Sequence, residues 1–197
     1  MTQLYEIITE LVSENAKVLD LGCGDGTLLK MLVVKKHIKG TGVEIDQEQV
    51  IKALEKGLSI IQGDIDEGLR QFLDKSYDYC ILNQTLQSTE KPDFVIEEML
   101  RVARKCVVSF PNFAHWRVRL YLFIRGKMPK GSTLPYEWYN TPNIHLLTVS
   151  DFFEFCKKRD IKISSAIYLT KQKVRRNIVM RAFSNFFSEE VVFIVEK

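Results

Sequence analysis

The sequence predicts an α/β protein built on a mostly parallel, seven-stranded sheet with helices on both faces. Three observations predict it. Five times between residues 17 and 111 a short apolar run opens a strand-then-helix unit. The runs are largely continuous rather than alternating, as in strands covered on both faces. The first run, KVLDL at 17–21, passes straight into the glycine turn GCGDG, the usual punctuation between a first parallel strand and its helix.

The elements follow in order. Leu4, Ile7, Ile8, Leu11 and Val12 recur at helical spacing, so 3–13 reads as an opening amphipathic helix. After KVLDL, TLLKMLVVK at 27–35 is a helix packed hard on the sheet, and TGVEI at 41–45 is the second strand. QEQVIKALEK at 47–56 is a helix with Asp46 as N-cap and Gly57 placed as a C-cap. LSIIQ at 58–62 is the third strand, DEGLRQFL a short helix, and YDYCIL at 77–82 the fourth strand, with Asp78 placed to hold local backbone. PDFVIEEMLRVA at 92–103 opens with a proline tolerated in the first helical turn, and CVVSF at 106–110 is the fifth strand. The pattern then breaks into an insertion at 113–148, rich in aromatics and arginines, within which VRLYLFI reads as a helix turning Leu120 and Ile124 inward. A helix at 150–159 and the strands IKISSAIYL and EVVFIVEK complete the sheet, with a basic, partly helical excursion between them.

Length and composition bound the rest. The 197 residues are 46% hydrophobic and 27% charged, with 5 prolines and 10 glycines. That favours one domain over 1–197 and excludes a disordered or fibrous chain. The net charge of +3 hides an asymmetry: residues 1–98 carry 10 basic and 18 acidic side chains, residues 99–197 carry 18 and 7. A basic half can serve an acidic ligand, RNA or a partner, or be no more than a basic surface. Cys23, Cys80, Cys106 and Cys156 are far apart with no CxxC pair, which predicts a reduced, cytoplasmic protein without a zinc site. Glu6 and Glu10 interrupt any signal-like start, and no run approaches a membrane span.

The glycine turn carries the functional signal. Gly22, Gly24 and Gly26 are spaced GxGxG, neither the dinucleotide GxGxxG nor a phosphate-binding GK[ST] loop. Asp20 and Asp25 flank them; two carboxylates repel phosphate and suit a cationic ammonium group. Glu44, near the end of the second strand, is placed to accept ribose hydroxyls. Asp64, after the third, is placed to accept an adenine amine, or else to cap local backbone. An ammonium, a ribose and an adenine without phosphate describe S-adenosylmethionine.

VLDLGCGDG, GVEID, QGDI and YDYCILNQTL resemble the successive motifs of the class I methyltransferases, a Rossmann-like fold. That resemblance implies a cofactor site of Asp20, Gly22, Cys23, Gly24, Gly26, Glu44, Ile45, Asp64, Ile65 and Asn83. Further stretches, ILNQTLQ at 81–87, SFPNFAHWRVR at 109–119 and RGKMP through LPYEWYNTPNIHLLTVSDF at 125–152, resemble the MetW family. This implies a methyltransferase fold associated with the homoserine O-acyltransferase step of methionine synthesis, acting with or on that enzyme.

Turnover is a separate matter. Methyl transfer from a sulfonium is an in-line displacement that positioning can accelerate without a covalent nucleophile. Gln84 and Asn112 lie after strands four and five but are not bases. His115, beside Trp116, and His145 are the candidate bases, each with the alternative of a ring bonded to backbone. NQT lacks the asparagine–proline–proline–aromatic signature of methyltransferases acting on DNA-base amines, so no nucleic-acid substrate is expected. The insertion reads as a lid or docking element, with Trp138 and Tyr139 near a pocket mouth or a partner. Basic residues from Lys171 to Arg181 form a second candidate docking surface. The sequence therefore predicts an S-adenosylmethionine-binding protein that partners the acyltransferase, with a small-molecule methyltransferase as the alternative.

Overall fold

The computed structural model describes residues 2–131, 134–170, 173–176 and 181–197. The strands are β1 (Lys17–Leu21), β2 (Lys39–Glu44), β3 (Ser59–Gln62), β4 (Tyr77–Asn83), β5 (Ala103–Pro111), β6 (Lys162–Thr170), β7 (Lys173–Arg176) and β8 (Glu190–Glu196). The helices are α1 (Thr2–Leu11), α2 (Thr27–Lys36), α3 (Gln47–Glu55), α4 (Pro92–Val102), α5 (Trp116–Arg125), α6 (Val149–Lys158) and α7 (Arg181–Phe187). One sheet runs β3-β2-β1-β4-β5-β8-β6-β7, with β1 to β5 parallel and β8 antiparallel to both its neighbours. The seven expected strands are present. The short β7 adds an edge strand in what was expected to be a partly helical excursion, and α7 supplies the helical part. The basic side chains expected there to form a docking surface lie outside the described residues.

Strand alternation divides the core between the two faces. Leu19, Leu21, Cys80, Leu82, Val108, Phe110 and Phe193 bury against α4 and α6 on one face. Val18, Tyr79, Ile81, Val107 and Val192 bury against α1, α2 and Ala53 of α3 on the other. Asp20, between Leu19 and Leu21, therefore faces the α1 and α2 side, although only 1% exposed. At the opposite end of the strands, Asp78 accepts the Lys17 N–H at 2.9 Å, the local role expected of it.

Two local expectations fail for physical reasons. Residues 66–73 form only a one-turn 3-10 helix over Ile65–Glu67, because Gly68 takes φ +95° and Leu69 and Phe72 turn into the core. Their backbone is satisfied by α4 instead: Glu98 accepts the Leu69 N–H at 2.9 Å, and Arg101 donates to the Leu69 and Phe72 carbonyls at 3.0 Å each. Helix α5 buries none of its side chains. Leu120 and Ile124 point to solvent because other helices already cover both faces of the sheet. Among the described residues no helix is long and apolar enough to cross a membrane.

Arg101 also donates to Glu98 and Asp74 at 2.7 Å, so one guanidinium fastens the 69–74 segment to α4. Arg101→Ala is expected to cost about 1–2 kcal/mol in urea unfolding. Arg101→Lys should recover less than half of that, because an ammonium lacks the planar fork.

Candidate ligand cleft

The cleft forms where the parallel strands end. Gly22, Gly24 and Gly26 all take positive φ, at +63°, +54° and +73°, so the turn alternates left-handed positions that glycine accepts without steric cost. They then serve different ends. A Cβ on Gly22 would lie 2.6 Å from Thr85, whereas one on Gly24 would meet nothing within 4 Å. Gly26 precedes α2, and a Cβ there would run into Leu58 and meet Ala53 at 3.0 Å, so its lack of a side chain lets α2 start close against α3.

The carboxylates are sorted by their partners. Glu44 accepts three backbone N–H groups, from Gly24 at 2.8 Å, Ile45 at 2.9 Å and Asp46 at 3.0 Å. It thus fixes the glycine turn to the end of β2, and Oε2 carries only one of the three bonds. Asp25 is taken: it accepts from Lys56 Nζ at 2.7 Å and from the Thr27 hydroxyl and N–H at 2.8 and 3.1 Å, and Lys56 holds its carboxyl below the ordinary value. Asp20 is the opposite case. Both of its oxygens are buried without a hydrogen-bond partner. Burial, and secondarily the charge of Glu44, push its pKa up to about 7. The expected pair of flanking acids is therefore a single available carboxylate. Asp64 accepts the Asp66 N–H at 2.8 Å and heads the 3-10 turn, so it caps as well as lining the cleft.

The cleft has two connected sections that share Gly22, Gln84 and Ser88. One, of about 400 Å³, is lined by Glu44, Ile45, Asp64, Ile65 and Thr85. The other, of about 330 Å³, is lined by Tyr5, Asp20, Cys23, Gly24, Asn83 and Tyr136. Burial pushes the Cys23 thiol up to about 12, so it stays protonated. Gln84 holds a left-handed φ of +56°, uncommon for a side chain of its size, with its N–H on the Ser109 carbonyl at 3.0 Å. Its side-chain nitrogen is buried and unpartnered. Gln87 donates to the Gln84 carbonyl at 2.7 Å while its own side-chain oxygen lacks a partner. The Gln87 carbonyl accepts the Ile144 and His145 N–H groups at 2.8 and 3.0 Å, tying the end of the insertion across the cleft.

Several expected substrate residues lie elsewhere. Asn112 is saturated: its amide donates to the Asn185 and Ser188 carbonyls at 3.0 and 2.9 Å, and its oxygen accepts from Ala114 and Val149. His115 is the buried residue before α5, its ring 5.9 Å from Trp116, and neither residue lines the cleft. His145 lines a separate groove with Leu86, Ile96 and Phe152. Trp138 and Tyr139 pack edge to face at 5.6 Å, both strongly exposed; Pro135 and Tyr136 line the cleft in their place. Among the described residues no group of histidines, cysteines and acids could hold a metal ion.

Sequence reasoning missed Tyr5, Gln87 and Glu190 as cleft residues. Glu190 had a readable signal. In an antiparallel strand the first residue, not the last, reaches the ligand edge, and Glu190 pairs with Pro111 at the end of β5.

Comparison with known proteins agrees with this fold. A protein from Pyrococcus horikoshii superposes with a TM-score of 0.70 at 18% identity, covering 99% of this chain and 88% of its own. The cyclase SpnF superposes at 0.69 and 16% identity, covering 99% and 80%. A SAM-dependent methyltransferase from Thermotoga maritima superposes at 0.67 and 16% identity, covering 100% and 89%. These likenesses establish the class I methyltransferase fold, and the presence of a cyclase among them separates fold from reaction. The bifunctional methionine biosynthesis protein MetXA/MetW of Rhodopirellula baltica is 34% identical over 172 residues, covering 83% of this chain. The chain spans only 28% of the length of that relative. The family described as methionine biosynthesis protein MetW matches residues 3–195, and with a match of that extent the chain belongs to the MetW family.

Proposed function

We propose that the cleft binds S-adenosylmethionine and that the protein acts in methionine biosynthesis with, or as a regulator of, a homoserine O-acyltransferase. The observation that carries the ligand is Asp20, an unpartnered buried carboxylate at the end of β1. Such a group is costly to fold and is relieved by a cationic partner. In this reading Asp20 takes the ligand's ammonium group, Glu44 Oε2 accepts from the ribose, and Asp64 and Ile65 flank the adenine. Gly22 and Gly24 let the backbone approach, while Cys23, Ile45 and Asn83 complete the walls. The bound group would supply an electrophilic methyl; these residues bind, orient and shield it.

The partner reading rests on two supports. The Rhodopirellula relative carries MetXA and MetW in one name and one chain. Helix α5 carries Phe123 at 87% and Ile124 at 65% exposure and has Arg117, Arg119 and Arg125 along the same helix, an apolar and cationic composition that suits an acid-rimmed groove on a partner. In this reading residues 113–148 are the lid or docking element of a single domain. The four free, buried cysteines support a reducing, cytoplasmic setting. A second reading, methyl transfer to a small acceptor, is favoured by the continuation of the cleft past Asp20 to Tyr136 and Glu190.

Calorimetric titration with S-adenosylmethionine and adenosylhomocysteine tests the ligand. Asp20→Asn and Glu44→Ala should each weaken binding by about tenfold or more, the worth of one charge-assisted hydrogen bond. Unchanged affinity in both variants would refute the assignment. Because Asp20 titrates at about 7 and the ligand needs it ionised, native affinity should fall on the order of tenfold between about pH 7.5 and 5.5. Asp20→Asn should remove most of that slope.

For the partner, Phe123→Asp should abolish co-elution with the acyltransferase in size-exclusion chromatography, with the adenosylhomocysteine isotherm reporting that the cleft is intact. Co-elution that survives the substitution would remove α5 from the interface.

A further inference from the structure

The ligand assignment leaves the cleft carboxylate of Glu190 without a role. Glu190 opens β8, the one strand antiparallel to β5, and its pairing with Pro111 brings it to the same edge of the sheet as Asp20. It lines the 330 Å³ section together with Tyr5, Tyr136 and Asn143, beyond the glycine turn. Burial, the largest cause, raises its pKa. The neighbouring Glu189 turns toward Arg117, at 3.9 Å.

The open hydrogen-bonding capacity of this section is lopsided. Among the described residues no lysine, arginine or histidine lines it. Its carboxylates are Asp20, Asp25 and Glu190, and among the described residues only Asp25 forms an ion pair, with Lys56, which stands outside the lining. Gln87 provides an independent sign of a ligand. It is 5% exposed, lines the same section, and carries a buried side-chain oxygen with no donor. A buried acceptor in that state calls for a donor from an ordered water or a bound group. Among the fully buried side-chain atoms of this lining, the unpartnered acceptors are both Asp20 oxygens and the Gln87 oxygen, and the unpartnered donor is the Gln84 amide nitrogen. A cavity so disposed attracts a group rich in N–H donors.

We propose that the Glu190 end of the cleft is a second subsite, which holds the amino group of a small amine between Glu190 and the Gln87 side-chain oxygen, next to the methyl position of the bound cofactor. This rests on the S-adenosylmethionine reading and adds the chemical class of the second ligand. An amine presents two or three N–H donors, enough for both acceptors at once.

The probes are adenosylhomocysteine and sinefungin, the adenosyl amino acid in which a carbon bearing a primary amine replaces the methylated sulfur. Its amine occupies the methyl position and points where the second ligand would sit. In the native protein sinefungin should bind more tightly than adenosylhomocysteine. Glu190→Gln should reduce that preference by about tenfold, the scale of one charge-assisted hydrogen bond, and Glu190→Asp should restore part of it. Gln87→Leu, a variant remote from β8, should reduce the preference several-fold on its own. Native binding of adenosylhomocysteine, with a sinefungin preference absent or unmoved by both Glu190→Gln and Gln87→Leu, would overturn the subsite alone. Failure of the native protein to bind adenosylhomocysteine would overturn the cofactor reading, and the subsite with it.

Discussion

The burial of Asp20 without a partner is the constraint from which the cleft follows. A carboxylate removed from water is unfavourable, and Glu44 nearby makes it more so, which is why the group titrates at about 7 rather than near 4. In the folded chain Asp20 therefore keeps its proton between roughly pH 4 and 7, where the unfolded chain releases it. The empty protein accordingly loses stability as the pH rises through that window. A cation that reaches Asp20 reverses this: it binds the ionised form and recovers free energy that the empty fold forgoes. The neighbouring acid avoids the same cost. Asp25 is bound by Lys56 and Thr27 and is relieved before any ligand arrives.

Glu44 links this electrostatic arrangement to the shape of the turn. Its three backbone N–H donors come from the glycine turn and from the approach to α3. The side chain that would meet a ribose thus also holds the backbone that would meet the rest of the ligand. The other wall is built from the end of β4. Gln84 is held in a left-handed conformation by Ser109, and Gln87 is fastened to it and to the last residues of the insertion. Strain and unpartnered amide atoms in a loop that both sections of the cleft share mark it as a working part rather than a connector.

The features legible in the sequence are those whose position is set by one strand and the turn after it. Asp20, Glu44 and Asp64 stand at the ends of successive parallel strands, so the order of elements alone brings them together. Residues whose role depends on tertiary placement were not legible. Tyr5 reaches the cleft because α1 packs against α2, and Glu190 because β8 runs in reverse. The helix expected at 66–73 gave way to a clamp supplied by Glu98 and Arg101, about thirty residues on. Leu120 and Ile124 follow a helical pattern that says one face is apolar. It does not say whether that face meets this sheet or another molecule.

The central claim is that Asp20 is a buried carboxylate awaiting a cation. NMR titration of the Asp20 carboxyl carbon, in the free protein and with saturating adenosylhomocysteine, tests it most directly. The account predicts a free-state pKa of about 7 that falls toward the ordinary carboxylate range, roughly 4, when the ligand's ammonium binds. An ordinary value in the free protein, or a raised value that the bound ligand leaves unmoved, would contradict it.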